Sequence, residues 1–458
     1  MFQLISLGKR ALAVTEKHLE TASHNISNVN TEGYSRQRVV QESGLPIDYP
    51  YGTIGTGVNI QSVERMRDEF LDISFRDNQS QLGFWDKRSE VLEKLETMLN
   101  EPSDFGLSNK INQFFSSWDS LSSSPTSETY RMDLINNTQQ MTDGFNRMYD
   151  DLSGFVKTID NEIIHNVSRI NQISQELATL AKGINFTNGQ VNDPNDLLDK
   201  YDLLVDELAK YGNITVKTTD FGQKAIYFGS DLIVDGSSAR QIGLEETTVN
   251  GVTVHNLVWS NNYDKINGLK NGELLSLVDL RDNVVPSYLS QLDKIADTIK
   301  EAVNQIHLQG HDFTATREKG HYFFDQDSSG AKDFRLSLNI LNDPYMIATS
   351  RSGESGDNEI ALAIANLRNE AVVDGNQSIS QAYASLVYKI GSDANYTNIK
   401  KENQAMTTEQ VDNFRESVKG VSLNEETANL IKYQQMYQAS AKIVKLADDM
   451  LKIVLGLV

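Results

Sequence analysis

The sequence predicts an elongated, multi-domain protein that is mainly α-helical, with a small inserted β domain and with N- and C-terminal helices that pair as a coiled coil. Three patterns in its 458 residues support this prediction. Apolar residues recur at every seventh position near both ends of the chain, which is the spacing of coiled-coil helices. Through most of the interior they keep three-four spacing, and over one short stretch the period changes to two.

Heptad repeats mark the two ends of the chain. The N-terminal step runs through Ile5, Leu12, Leu19 and Ile26, with Gly8, Thr15, Ala22 and Val29 in the alternate row. The C-terminal step runs through Leu423, Leu430, Tyr437, Val444, Leu451 and Val458, with Tyr433, Ser440, Ala447 and Val454 in the alternate row. Ser422 and Glu425 have the spacing of a capping box at the start of the second helix. The simplest partner for either apolar stripe is the other one.

The interior is predicted to form a rod of long helices. Three-four spacing extends from Met141 to Leu180, and shorter helical patterns cover about 80–100 and 274–306, with Pro286 as the expected kink. Asp193 and Pro194 have the residue types of an N-cap and a first-turn proline for a helix that ends near Lys210. These lengths favour a rod-shaped bundle.

A change of period to two between about 211 and 263 predicts the inserted β domain. Asn250-Gly251 within this stretch is a typical hairpin turn. The changes of period set the expected domain boundaries. A terminal helical domain comprises residues 1–60 and 412–458, a discontinuous helical rod comprises 61–211 and 264–411, and the β domain comprises 212–263.

Composition excludes several classes of function. The chain has 63 Asp and Glu against 42 Lys and Arg, a formal net charge of -21, so nucleic acid and anionic membrane surfaces are poor partners. It has no cysteine, which excludes disulfides, cysteine-ligated metals and thiol catalysis. The first 20 residues lack the pattern of a secretory signal, and no stretch is apolar for the length of a membrane span. We expect any export to use a route that reads no such signal.

The sequence shows no pattern of a catalytic, metal or cofactor site. His307, His311 and His321 form the one histidine cluster, but Gly310 interrupts the helical spacing and no third ligand is well placed. Adjacent acidic pairs such as Asp206-Glu207 point about 100° apart on a helix. No phosphate-binding loop or nucleophile elbow is present. We therefore expect no catalytic, metal-binding or cofactor-binding residues, and histidines in surface or turn positions.

One segment carries a family resemblance. Residues 25–37, NISNVNTEGYSRQ, resemble the signature of bacterial flagellar axial proteins, and the ending GYSRQ is similar to the hook-filament junction protein family. The motif residues are Asn28, Asn30, Gly33, Tyr34, Ser35, Arg36 and Gln37. Further segments follow the order of that family at 55–58, 65–68, 196–199, 277–282, 304–310 and 420–426. The resemblance covers essentially the whole chain.

The resemblance implies a structural, axial protein at the junction between the flagellar hook and filament. It implies type III export from the cell, terminal helices paired inside the axial tube, and a ring that adapts the bendable hook to the stiffer filament. The implied partners are further copies of this chain, the hook protein, the second hook-associated junction protein and a flagellar export chaperone. The heptad residues Ile5 to Ile26 and Leu423 to Val458 named above are the predicted assembly interface.

Three alternatives remain open at this point. Another flagellar axial component, such as a hook or distal-rod protein, would lack the 34–37 and 304–310 segments. A cytoplasmic coiled-coil scaffold would have ordered ends in the free chain. A wall hydrolase fused to axial ends would need paired carboxylates in a central cleft, which a short stretch of Thr- and Val-rich hairpins does not readily provide.

Overall fold

Two long helices from opposite ends of the chain pack against each other. The computed structural model describes all residues except 1, 51, 100, 102, 188–193, 219–222, 250, 457 and 458. Helix α1 spans Phe2–Ser27 and helix α11 spans Leu423–Leu455. The predicted mainly helical fold with paired terminal helices is confirmed. The predicted seam residue Val458 lies outside the described residues.

Two hairpins follow α1, and the sequence does not predict them. Strand β1 (Gln37–Ser43) pairs antiparallel with β4 (Val58–Arg65), and the short strands β2 (Ile47–Tyr49) and β3 (Gly52–Ile54) pair between them. Only Gln37 and Val39 of β1 are buried, so the alternation that normally identifies a strand is short. The sequence assigns residues 37–65 to helical domains, but in the structure they form a β extension that packs against α1.

The rod consists of nine helices among the described residues. Their bounds are α2 Glu69–Leu99, α3 Leu107–Ser123, α4 Glu128–Thr187, α5 Asn195–Tyr211, α6 Glu273–Asp279, α7 Val285–His307, α8 Leu338–Asn342, α9 Glu359–Asn366 and α10 Ile379–Lys419. Helix α4 has 60 residues, which gives it a length of about 90 Å. Its buried residues, from Leu134 to Ile184, belong to one core shared with α2, α3, α5 and α7. This length agrees with the predicted elongated fold.

The β strands of the middle of the chain lie between α5 and α6. Strands β5 (Ile214–Thr218), β6 (Lys224–Phe228), β7 (Asp231–Asp235) and β8 (Ser238–Ala239) form an antiparallel sheet in chain order, and β9 (Ile242–Val249) and β10 (Val252–Trp259) form a hairpin. The backbones of Gly212 and Gly272 are in contact, so the chain leaves and rejoins the rod at one point. Asp160 of α4 ties β10 to the rod by accepting hydrogen bonds from the His255 main chain (2.9 Å) and from Arg281 (2.6 Å).

Three local expectations need revision. In place of a kink at Pro286, the structure has a π-helical turn, Leu280–Val284, which ends two residues before this proline. The irregular turn lies here because proline has no N–H to donate to the preceding turn of the helix. The capping box at Ser422 is half formed: Glu425 N–H donates to Ser422 Oγ (3.4 Å), but the Glu425 carboxylate accepts from Arg36 instead. Pro194, expected in the first turn, instead precedes the first residue of α5, Asn195, while the expected N-cap Asp193 lies outside the described residues.

Among the described residues, none of the helices is both long and apolar enough to cross a membrane.

Candidate assembly interface

Small residues form the closest contact between α1 and α11. Gly8, Thr15 and Ala22 of α1 and Ser440 and Ala447 of α11 are buried, and all five belong to the alternate rows of the two heptad patterns. A Cβ atom on Gly8 would lie 2.5 Å from Val444 Cγ2, so a larger residue at this crossing would force the Val444 side chain or the helices to shift. Small side chains let the two backbones approach closely, but they remove little apolar area from water.

The larger heptad residues lie beside this contact. Ile5, Leu12, Leu19 and Ile26 on α1 and Leu430, Val444 and Leu451 on α11 are half-buried, whereas Leu423 and Tyr437 are exposed. In the single chain they are incompletely covered. Their role as contacts between copies stays a prediction.

A second apolar row runs along a side of α11 that α1 does not cover. We call it the outer row; its members are Ile443, Leu446, Met450 and Ile453, each between 40% and 65% exposed. From Ile443 onward their spacing is three-four-three, which is again the spacing of a helix-packing stripe. The predicted heptad that contains Leu430 and Val444 does not include this row. A second seven-residue repeat, which contains Ile443 and Met450, is the sequence signal that would have identified it.

The motif residues fasten the end of α1 to the start of the β extension. Asn25 Oδ1 accepts hydrogen bonds from Tyr34 OH (2.8 Å) and Gln37 N (2.9 Å), while Asn25 Nδ2 donates to Gln37 O (3.0 Å). Asn28 caps the last turn by donating to His24 O (3.0 Å).

Gly33 has φ +77° and contacts Leu203 of α5, so a side chain there would be both strained and obstructed. Asn30 lies exposed in the same loop.

Arg36 links the two ends of the chain. Its main-chain N–H donates to Lys419 O (2.8 Å) at the end of α10. Its guanidinium pairs with Glu425 (2.9 Å) and Glu426 (2.7 Å) in the first turn of α11. Glu426 is buried, and a carboxylate at a helix N-terminus is favourable. The motif therefore sets the position of α11 relative to α1 and α10.

A buried ionic network lies beneath the motif. It comprises Arg65, Arg67, Arg76 and Arg415 with Asp72, Asp199, Asp202 and Asp206, contributed by β4, the residues after it, α2, α5 and α10. The three aspartates of α5 are spaced three and four residues apart, which puts them on one helix face. Asp199 also accepts a hydrogen bond from Ser35 N (3.0 Å), which connects the network to the motif. The sequence contains this acidic stripe, but its arginine partners come from distant segments.

The charges within the network hold the aspartates ionised. Burial raises the pKa of Asp202, but Lys224, Arg67, Arg65 and Arg76 outweigh it and hold that pKa well below its usual range. Burial likewise opposes the ionisation of Asp72, and Arg67 and Arg415 lower its pKa below the usual value. The folded state therefore needs both carboxylates charged.

This arrangement predicts loss of stability in acid. Because the folded pKa values of Asp72 and Asp202 are depressed, the unfolded chain binds more protons, so their contribution is complete above about pH 5 and falls progressively below about pH 4. Urea unfolding at a series of pH values measures this. An Asp202→Asn variant should show a shallower dependence, and the exposed Asp77→Asn variant should match the wild type. Equal slopes for the three proteins would contradict the assignment.

The histidine cluster does not lie where the sequence predicts. His307 is completely buried rather than on the surface or in a turn, and burial lowers its pKa to about 4. The neutral ring bridges two segments, with Nδ1 2.7 Å from His321 O and Nε2 accepting from Ala348 N (2.8 Å). His311 and His321 are half-buried and contact Arg317 O and Asp312 respectively. Within the described ranges, no group of three or more His, Cys, Asp or Glu residues is arranged to hold a metal ion.

The fold and the surface of α11 define a class of protein. A long helical rod that ends in two paired terminal helices, with an exposed apolar row on one of them, is suited to be a subunit of a larger assembly.

Comparisons with known proteins identify the family. The model of the flagellar hook-associated protein FlgK helical domain matches residues 92–324, and that of the flagellar basal body rod FlgEFG protein C-terminal matches residues 417–457. The chain belongs to the flagellar hook-associated protein family. The predicted resemblance is confirmed, and the chain is a structural component of the bacterial flagellum, outside the cell.

Two relatives that are both named flagellar hook-associated protein 1 match this chain along nearly their whole length. The chain is 28% identical to flagellar hook-associated protein 1 of Bacillus subtilis, over 100% of this chain and 98% of that protein. It is 25% identical to flagellar hook-associated protein 1 of Salmonella typhimurium, over 100% of both. The solved flagellar hook junction protein FlgK from Burkholderia pseudomallei shares the fold, with a TM-score of 0.66 at 13% identity over 76% of this chain and 100% of that one.

Proposed function

We propose that this chain builds the junction between the flagellar hook and filament by self-assembly through its terminal helices. In this arrangement α1 and α11 line the axial tube, the rod lies outside them, and the 212–263 β domain lies farthest out. The outer row carries the proposal, because four large apolar side chains on one helix face remain 40% to 65% exposed in the single chain. The domain boundaries 1–60 with 412–458, 61–211 with 264–411, and 212–263 form part of the proposal.

The partners follow from the position in the flagellum. Further copies of this chain lie beside each subunit, the hook protein lies below, and the second hook-associated junction protein lies above. Export occurs through the type III channel with a flagellar export chaperone. The role is structural and not enzymatic, because the geometry described above offers an assembly surface and the family is structural.

Hydrogen exchange tests the assembly mechanism. Because α1 and α11 bury mainly small residues against each other, their opening free energy in the free chain is expected to be near zero, and their amides should exchange far faster than those of α4. After incorporation into hook-tip assemblies, the same amides should be protected about tenfold or more, while α4 stays unchanged. Protection of α1 and α11 that is already complete in a verified monomer would contradict the mechanism and favour the scaffold alternative.

A further inference from the structure

Helix α10 has an exposed surface that the terminal helices do not explain. Tyr388, Tyr396, Ile399, Met406 and Phe414 lie on its outer side, and each is between 51% and 76% exposed. The residues that α10 buries in the rod include Ile379, Leu386, Ile390, Thr408 and Arg415. At 100° per residue the two sets lie on opposite sides of the helix. Tyr396 borders the rod, because its ring lies edge-on to Trp85 of α2 with 6.1 Å between the ring centroids. The other four residues form a surface that is separate from the core.

This surface, which we call the α10 face, has no charged residue at its centre. The exposed positions between the large apolar residues are Ser385, Ser392, Asn395, Asn403, Gln410, Asn413 and Ser417. The exposed charges lie along its borders, with Lys389 and Lys400 on one side and Glu402, Glu409 and Glu416 on the other. In a chain with 23% charged residues, an exposed helix side normally carries charge. An uncharged centre with Tyr, Phe and Met inside a charged border is the composition of a protein–protein interface.

We propose that the α10 face packs against a neighbouring copy of this chain in the assembled junction. The inference rests on the proposed function, which places many copies side by side. Because each copy has a net charge of -21, copies repel one another on average, and an uncharged face lets them approach with the least repulsion. Helix α10 ends at Lys419 and α11 begins at Leu423, so a neighbour held by the terminal helices is also held near α10.

The size of the face agrees with a contact that forms only in the assembly. From Ala384 to Ser417 the helix is about 50 Å long, and a width of about 10 Å gives about 500 Å². A stable pair of proteins buries about 800 Å² on each partner. The α10 face is therefore too small to dimerise the free chain, but it adds to binding once the terminal helices hold two copies together.

The first experiment introduces charge into the face. The Ile399→Glu/Met406→Glu variant should stay monomeric with an unchanged thermal midpoint, because both positions are exposed, but it should add to hook tips about tenfold less than the wild type because two charges are buried on docking. The control Leu338→Glu replaces an apolar residue of α8 that is at least as exposed, and this variant should add normally. Normal addition of the double variant would overturn the inference. Failure of the wild-type chain to add would instead refute the proposed function.

The second experiment identifies what covers the face. Because the chain has no cysteine, Ile399→Cys provides a single thiol for a maleimide–benzophenone cross-linker. Irradiation of assembled junctions should give a product that contains two copies of this chain, and irradiation of the free monomer should not. The Leu338→Cys control should give no such product. Cross-linking to a different protein, or none at all in assembled junctions, would overturn the inference.

Discussion

Replacing Ile443 and Leu446 of the outer row together with glutamate is expected to abolish addition of the chain to hook tips. Each of these side chains, once covered by a neighbour, contributes about 1.5 to 3 kcal/mol, and a buried unpaired charge adds a further cost. Because both are exposed in the single chain, the thermal midpoint of the rod should not change. Motility and electron microscopy of hook tips, with circular dichroism of the purified variant, measure the two effects.

A matched control separates the apolar row from the helix that carries it. Gln434→Glu introduces charge at an exposed position of α11 outside the outer row, and it should leave assembly intact. Changing Leu430 and Val444 to glutamate should also block assembly, but through a different step, because Val444 contacts Gly8 and the α1–α11 pair would separate. Normal junctions in the Ile443→Glu/Leu446→Glu strain would show that the outer row is not an assembly contact.

Replacing Asp202 with alanine is expected to reduce the free energy of unfolding of the rod by about 3 to 5 kcal/mol. Asp202 forms ion pairs with Arg65 (2.9 Å), Arg67 (3.2 Å) and Arg76 (3.2 Å), so its removal leaves three arginines with one carboxylate fewer to balance their charge. Urea denaturation of the purified chain measures the loss.

Two further variants test whether charge or packing is responsible. Asp202→Asn keeps the volume and removes the charge, so it should lose most of the same stability. The exposed Asp77→Ala variant should unfold like the wild type, within about 0.5 kcal/mol. An Asp202→Asn variant as stable as the wild type would show that the network contributes by packing alone.

The long helices could be predicted because a repeated local pattern specifies them. The three-four spacing from Met141 to Leu180 corresponds to the centre of α4, and the heptads correspond to α1 and α11. The hairpin of β9 and β10, which pair from Val249 and Val252 onward, also follows from a local signal. In each case neighbours in sequence determine the structure.

The remainder depends on contacts between distant segments. The β extension at 37–65 has little alternation of its own and is stabilised against α1. His307 is buried because Trp118 and Phe323 pack around it, which no local pattern indicates. The motif 28–37 was recognisable as a family signature, but its physical role depends on Asp199, Lys419 and Glu426, which lie far along the chain. Sequence spacing alone cannot bring these residues together.

The radial position of each domain in the native flagellum tests the central claim most directly. Electron cryomicroscopy of hook–filament preparations should show copies of this chain between hook and filament, with α1 and α11 innermost around the channel and the 212–263 β domain at the outer surface. Density that places the terminal helices at the outer surface, or a junction without this chain, would contradict the account.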